Sequence, residues 1–323
     1  MSIFPRSIYS RQGKQRNSGV MQKSLSAILL SVILQNGACG APSIIPYERP
    51  SCLSKGIENT KQPANKEALA SFNRGKDNFL AANFDAAIDE FSKAIKLDAN
   101  FAQAFLARGF ARIWGKDDRK GGLSDYAEAI KIDNKNAETY WWRGEAVRES
   151  SGYGTELYKS AAQDFTRAIE LKPDYVEAYR RRAWVKEGLK DLNGAMADQT
   201  QVIKLKPTEA RAYIERAKIE EKAGDNNAAL KDYGEVTKLG ASEAANGFYE
   251  RARLLVKMGN NKDAIGDFTK AIDLTKSGEN ANTALAAYEE RARAREATGD
   301  NAGAKKDRAD AKGLKARTPE IPH

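Results

Sequence analysis

An arginine followed by a small residue returns seven times along this chain, and that regularity leaves few folds open. The small residues are Gly75, Gly109, Gly144, Ala183, Ala217, Ala252 and Ala292, at spacings of 34, 35, 39, 34, 35 and 40 residues. A second series, Ala87, Gly122, Ala161, Ala195, Ala229, Ala264 and Ala304, keeps nearly the same beat. Small residues a dozen or more positions apart let a helix, a tight turn and an antiparallel helix cross with their axes close together. The period of 34 with insertions implies such hairpins stacked side by side, each burying its core against its neighbours.

Other residue types hold the same register. An aromatic precedes each small residue by three or four places, at Phe72, Phe105, Tyr140, Tyr179, Tyr213, Phe248 and Tyr288. On the second helix a bulky residue stands at Phe91, Tyr126, Phe165, Tyr233 and Phe268, followed three residues later by Ala94, Ala129, Ala168, Val236 and Ala271. Asn65 is a candidate N-cap. Asn83, Gly194, Gly224, Gly259 and Gly299 supply turn residues that tolerate a left-handed backbone, and Pro173 and Pro207 close two repeats. This pattern resembles the tetratricopeptide repeat over about three quarters of the chain. The resemblance implies an all-α, right-handed superhelical solenoid of about seven antiparallel helix pairs over residues 65–316, with a concave groove lined by the first helices. Three features depart from the family pattern. Alanine replaces the preferred glycine in four repeats, Gln199 replaces the bulky residue in the fourth, and arginine stands throughout where the family has leucine.

Those arginines, Arg74, Arg108, Arg143, Arg182, Arg216, Arg251 and Arg291, are matched by acids on the second helix: Glu90, Asp125, Asp164, Asp198, Asp232, Asp267 and Asp307. Residues that recur together in every repeat are expected to meet, giving a ladder of bidentate pairs along the array. Each rung, if exposed, adds about 0 to 1 kcal/mol. The insertions read as one extra residue near Gly121 in the second repeat and five between the helices of the third, where Tyr153 and Tyr158 sit on a loop that either contacts a partner or is a tolerated insertion. Ser277 to Thr283 join the last two repeats, a point where stacking can break. Arg308 and Lys312 give the final helix a polar outer face, as the end of an array needs.

The formal charge of +9 suggests a nucleic-acid partner until it is located. Arg6, Arg11, Lys14, Arg16 and Lys23, with no acid among residues 1–38, hold five of those charges. That segment reads as an export signal, with Met21 as an alternative start. Lys23 precedes an apolar run from Leu25 to Leu34, and small residues follow from Gly37 to Ala41. The run is too short for a bilayer, which needs roughly 20 residues. Cys39 resembles the lipid-bearing cysteine of bacterial lipoproteins, although Asn36 stands where an aliphatic residue is usual. Pairing of Cys39 with Cys52 in an oxidising compartment, or removal of Cys39 by cleavage, are the other readings. Residues 39–64, with Pro42, Pro46, Pro50 and Pro63, read as a linker, and residues 317–323 as a disordered tail. The expected location is the periplasm or envelope, or the cytoplasm if the signal is unused, with a lipid at Cys39 as the only membrane attachment.

The single histidine is His323, so nucleophilic schemes built on Ser–His or Cys–His have no placed base. No phosphate-cradling glycine loop occurs, and two cysteines cannot make a four-ligand zinc site. No catalytic residue, cofactor or metal is expected. The reading that results is a protein-interaction scaffold of the bacterial envelope. An accessory subunit of an envelope enzyme complex, a cell-wall-acting enzyme and an RNA-binding helical repeat are the alternatives. RNA reading would want a strongly basic inner face, whereas the first helices offer aromatic residues early and mixed charge later. A peptide or partner helix fits better, and no nucleic acid is expected. The candidate contacts are Phe72, Phe79, Phe110, Trp141 and Trp184 as apolar anchors, with Arg180, Lys218, Arg253 and Lys257 setting orientation through charge.

Overall fold

The computed structural model describes residues 65–149, 154–275 and 281–317. The chain divides into two units, 1–52 and 53–323, and all described residues belong to the second. The export signal, Cys39, the proline-rich linker, Tyr153 and residues 318–323 lie outside them.

Fourteen α-helices follow one another in pairs, with no strand among the described residues. They are α1 (Lys66–Leu80) and α2 (Phe84–Leu97), α3 (Ala102–Phe110) and α4 (Arg119–Ile132), α5 (Ala137–Glu149) and α6 (Thr155–Leu171), α7 (Val176–Gly188) and α8 (Leu192–Leu205), α9 (Ala210–Ala223) and α10 (Asn226–Val236), α11 (Ala241–Lys257) and α12 (Asn261–Thr275), α13 (Ala281–Ala297) and α14 (Asn301–Arg317). The expected array of seven hairpins is the observed one.

Local chemistry sets the helix ends. The Asn65 side chain accepts from the N–H groups of Glu67 and Ala68 and starts α1. Asp118, Asp191 and Asp225 accept in the same way from Gly121, Gly194 and Ala228 at the starts of α4, α8 and α10, satisfying donors that the helix leaves open. Gly194 therefore belongs to a first helical turn. The left-handed residue that reverses the chain there is Lys190 (φ 66°), and Ala82 (φ 59°) holds that role where Asn83 was expected. Gly224, Gly259 and Gly299 adopt the left-handed backbone as expected.

The extra residue of the second repeat is absorbed one helix earlier than the sequence suggested. The end of α3 widens into a π-helical turn over Ala111–Gly115, which accommodates one additional residue without breaking the helix. In the third repeat α6 begins at Thr155, so Tyr158 lies on a helix and is buried at 6% exposure, its ring against Gly188 and Trp184. It is not part of an exposed loop edge. Stacking continues from the sixth repeat to the seventh. Ala287 and Tyr288 pack on the cluster around Phe268 and Ile272, and the Thr283 hydroxyl donates to Asn246 Oδ1 at 3.1 Å.

Within each hairpin the ring of the second helix rests on the small residue of the first. Phe91, Tyr126 and Phe165 press so closely on Gly75, Gly109 and Gly144 that a Cβ there would lie 2.6–2.9 Å from the ring. Tyr233 and Phe268 pack similarly with Ala217 and Ala252. All five rings are fully buried, each contributing about 2 to 3 kcal/mol by area removed from water. Arg308 at the same position of α14 is exposed and pairs with Glu296, so the last helix presents a charged pair where the others bury a ring.

The arginine ladder forms in every repeat. Arg108, Arg143, Arg182, Arg216, Arg251 and Arg291 each fork onto their aspartate with N···O distances of 2.6–3.0 Å. These aspartate side chains are only 1–8% exposed, while Arg74 and Glu90 are 50% and 25% exposed. The surface value expected for a rung thus applies to the first pair alone. Hydrogen bonds to Asp164, Asp232 and Asp267 push Arg143, Arg216 and Arg251 above their usual pKa.

Four of the arginines also reach back into the preceding repeat. Arg108, Arg182, Arg216 and Arg291 donate to the hydroxyls of Ser92, Thr166, Thr200 and Thr269 at 2.8–3.1 Å. Phe105, Tyr140, Tyr179, Phe248 and Tyr288 lie 5.4–5.8 Å from the guanidinium carbon of their own rung, within cation–π range. Arginine in place of leucine therefore ties three helices together. Gly234 interrupts the series, since it offers no hydroxyl to Arg251, and a Cβ built there would stand 3.5 Å from Arg251 Nη1. Gly234→Ser is expected to stabilise the protein by about 1 kcal/mol, from better helix propensity and one charged hydrogen bond. A thermal melt that falls would contradict this.

One residue runs against the ladder. Arg112, Lys186 and Arg295, one turn after their rung arginines, add a second cation to Asp125, Asp198 and Asp307 at 2.8, 3.0 and 2.9 Å. The corresponding residue in the fifth repeat is Glu220. Its Oε1 stands 3.8 Å from Arg216, and its Oε2 is buried without a hydrogen-bond partner. Burial pushes the Glu220 carboxyl up to about 7, with Asp232 and Asp225 adding to the shift and Arg216 opposing it. A folded pKa above the unfolded one means that the native state holds the proton longer. Stability then declines as pH rises from the usual glutamate range to about 7 and is level beyond. Glu220→Gln is expected to remove this decline and to gain about 1 to 2 kcal/mol at pH 8, with no gain at pH 4. Melting curves across that range check it, and a pH-independent gain would contradict the cause.

Candidate functional site

The groove face of the first helices changes character along the array. In the first repeats it is filled by the protein's own rings. Phe72 packs on Phe101 and Phe91 with centroids 4.9 and 5.6 Å away, Phe79 on Phe84 and Phe110 at 5.4 Å, and Phe110 on Trp142 at 4.7 Å. These three phenylalanines are 1–7% exposed. They are core residues between neighbouring hairpins, and the expectation that they hold a ligand is corrected. In these first repeats each ring meets a neighbouring ring before it reaches solvent.

Trp141 is half-buried, stacked on Tyr175 at 6.1 Å and edge-on to Trp142 at 4.5 Å, and its indole N–H is buried without a partner. Trp184 on α7 is different, with 42% of its surface exposed. Tyr158 meets its ring edge-on at 5.5 Å, and the Arg148 guanidinium lies 5.1 Å from it. Arg148 is itself held by a fork to Glu145, at 3.0 and 3.1 Å, and Arg181 reaches the same carboxylate at 3.3 Å. The tryptophan is thus a fixed apolar platform set on a charged base.

The predicted cations lie on this face, and each meets a carboxylate. Arg180 pairs with Glu209, Lys218 with Glu250 at 3.2 Å, Arg253 with Glu250 at 2.6 Å and Lys257 with Glu221 at 3.5 Å. Lys222 pairs with Glu187 across α9 and α7. Except for Arg253–Glu250, which lies within α11, these pairs run between neighbouring repeats.

Arg180, Trp184 and Lys218 come together around one cavity of about 210 Å³ between α7 and α9. Phe72, Phe79, Phe110, Trp141, Arg253 and Lys257 do not line it. Sequence reasoning missed Gln199, Glu215 and Ile219, which do. The Gln199 amide donates to Glu215 Oε2 at 2.8 Å, and Arg211 donates to Glu215 Oε1 at 2.6 Å. The signal for the cavity was the break in the aromatic column at Gln199, which removes the bulk that fills the equivalent place in its neighbours. Among the described residues no group of three or more His, Cys, Asp or Glu side chains is placed to hold a metal ion, and no helix is long and apolar enough to cross a membrane.

No family model matches the chain. Over 95 residues it is 32% identical to a heat shock protein sti1 homolog of Schizosaccharomyces pombe, a stretch that covers 29% of this chain and 15% of that protein's length. The C-terminal part of a TPR repeat-containing protein from Cytophaga hutchinsonii superimposes with a TM-score of 0.63 at 15% identity, covering 77% of this chain and 97% of that one. The chain has the fold of a tetratricopeptide-repeat solenoid. A tetratricopeptide repeat protein from Parabacteroides merdae agrees with a TM-score of 0.52 at 17% identity, over 79% of this chain and 95% of its own.

Proposed function

We propose that this solenoid is a non-enzymatic protein-interaction scaffold that holds a partner polypeptide in its groove, with Trp184 as the principal anchor. The observation that carries the reading is an exposed tryptophan, immobilised by Tyr158 and Arg148, above a cavity edged by Arg180 and Lys218. Rigid aromatic residues surrounded by polar pairs are the usual centres of interface energy. The inter-repeat ion pairs on either side fix the register of an extended partner through charge. Lys23, the apolar run from Leu25 to Leu34 and the small residues up to Ala41 support a place in the envelope, with lipid attachment at Cys39 as one route to it.

The reading is tested with tagged full-length protein crosslinked in its native host, with partner recovery measured by mass spectrometry. Trp184→Ala is expected to lower recovery of the bound polypeptide by about tenfold, the loss of a central aromatic contact. Leu205→Ala, at an exposed leucine of α8, is expected to leave it unchanged. Equal recovery from wild type and Trp184→Ala would overturn the assignment.

A further inference from the structure

Contacts between neighbouring repeats recur at fixed positions, and each end of the array keeps one half of them. The residue four before each later rung arginine is small and buried: Ala104, Thr139, Ala178, Ala212, Gly247 and Ala287. It sits against the preceding second helix. Ala178 clusters with Ala168, Ala212 with Val202 and Ala287 with Ala271, and a Cβ on Gly247 would lie 2.9 Å from Val236. In the first repeat the same position is Ala70, and it is exposed. At the other end Ala311 stands on α14 where Ala168 and Ala271 stand on their helices, and it lines a groove of about 440 Å³ between α13 and α14. The equivalent seat of every earlier hairpin receives the next first helix, whereas no helix among the described residues follows α14.

We propose that α1 of a second copy of this chain seats in the groove between α13 and α14, so that copies join head to tail and continue the solenoid. The proposal uses the two ends of the array and is independent of the Trp184 face. Three further positions set its register. The residue three after a rung arginine packs on the ring of the preceding second helix, as Val185 does with Phe165 and Leu254 with Tyr233. At the ends these positions are Asp77, exposed and without an ion pair among the described residues, and Arg308. An apolar contact is thus exchanged for a carboxylate facing a guanidinium. Arg308 is 54% exposed in its pair with Glu296, and so open a pair holds its arginine only weakly. The residue two after a rung arginine meets the one just before the next, as Phe110 meets Trp142, Glu145 meets Arg181 at 3.3 Å and Lys218 meets Glu250 at 3.2 Å. At the ends these are Arg293 and Asn73, a donor and an acceptor. The residue seven before a rung arginine lies on the one two before the preceding arginine, as Phe101 lies on Phe72 and Tyr175 on Trp141. There the ends oppose Glu67 to Glu289, the one like-charge contact in the register. A head-to-tail contact that repeats the solenoid's own step leaves a free end on each copy, so assemblies lengthen with concentration.

Sedimentation velocity of the full chain over a concentration series tests this. The mean sedimentation coefficient of the wild type is expected to keep rising with concentration. Ala70→Trp, bulky where the seat needs a small residue, and Asp77→Arg are each expected to leave a monomer. Both residues are exposed, so the melting temperature should not change and lost assembly would not reflect lost folding. Asp77→Arg combined with Arg308→Asp is expected to restore assembly, which a merely structural effect would not do. Glu289→Lys removes the opposed contact and should strengthen association about threefold. A wild type that stays monomeric at every concentration, as it would if residues before Asn65 or after Arg317 covered either end, would overturn the proposal. Assembly that survives Ala70→Trp, or that the double exchange fails to regain, would overturn it as well. Trp184→Ala is expected to assemble like the wild type, which keeps this result separate from partner capture.

Discussion

Asp307→Ala is expected to destabilise the last repeat by about 3 to 5 kcal/mol, the usual consequence of leaving a buried cation without its partner. Asp307 is 1% exposed in its side chain and accepts from Arg291 at 3.0 and 2.6 Å and from Arg295 at 2.9 Å. Removing it strands the Arg291 guanidinium, whose side chain is only 9% exposed. Because a solenoid repeat leans only on its neighbours, the damage should stay local. Amide exchange should speed up in α13 and α14 and remain slow in α1 to α8. The companion variant, Arg291→Met with Asp307→Leu, should recover most of the loss, since packed apolar side chains can replace a buried pair at little cost. A loss below about 1 kcal/mol for Asp307→Ala would mean that the rung behaves as a surface pair.

The second large effect is expected at the tightest crossing, between α3 and α4. A Cβ on Gly122 would lie 2.7 Å from the Gly109 carbonyl oxygen, and one on Gly109 would lie 2.9 Å from the Gly122 carbonyl oxygen and from the Tyr126 ring. The Ile113 side chain lies nearer still to a Cβ on Gly122, at 2.3 Å, and even if it shifts, the backbone carbonyl behind it cannot move aside. Gly122→Ala is therefore expected to cost about 2 to 3 kcal/mol through forced separation of the helices. Gly313→Ala, where nothing lies within 4 Å of the added carbon, should be neutral or slightly stabilising on helix propensity. Denaturant midpoints of the two variants compare them directly, and equal midpoints would contradict the close approach.

Much of this architecture is written in the order of residues. The two small-residue series mark where helices touch, and the covarying arginines and acids mark who meets whom, because the same physical demand recurs in each repeat. What a repeat pattern cannot carry is how far each contact is buried. Phe72, Phe79 and Phe110 read as groove residues by position, but exposure depends on the size of the side chains in the following repeat, here Phe101, Phe110 and Trp142. The bond from Arg182 to Thr166 was equally hidden, since it joins residues of different repeats. The extra residue of the second repeat was visible as a count, while its place in a π-helical turn follows from packing of Ile113 on Gly122. Gln199 was legible as an exception; that the exception opens a cavity beside Trp184 required coordinates.

The central claim is that a polypeptide lies on the Trp184 face. It is tested by placing a photocrosslinking benzophenone amino acid at position 184, and in a second strain at exposed Lys231 of α10, then irradiating the native host. The account predicts one dominant polypeptide adduct from position 184, mapped to a segment of that partner, and none of it from position 231. The absence of an adduct at 184, or the same adducts from both positions, would contradict it.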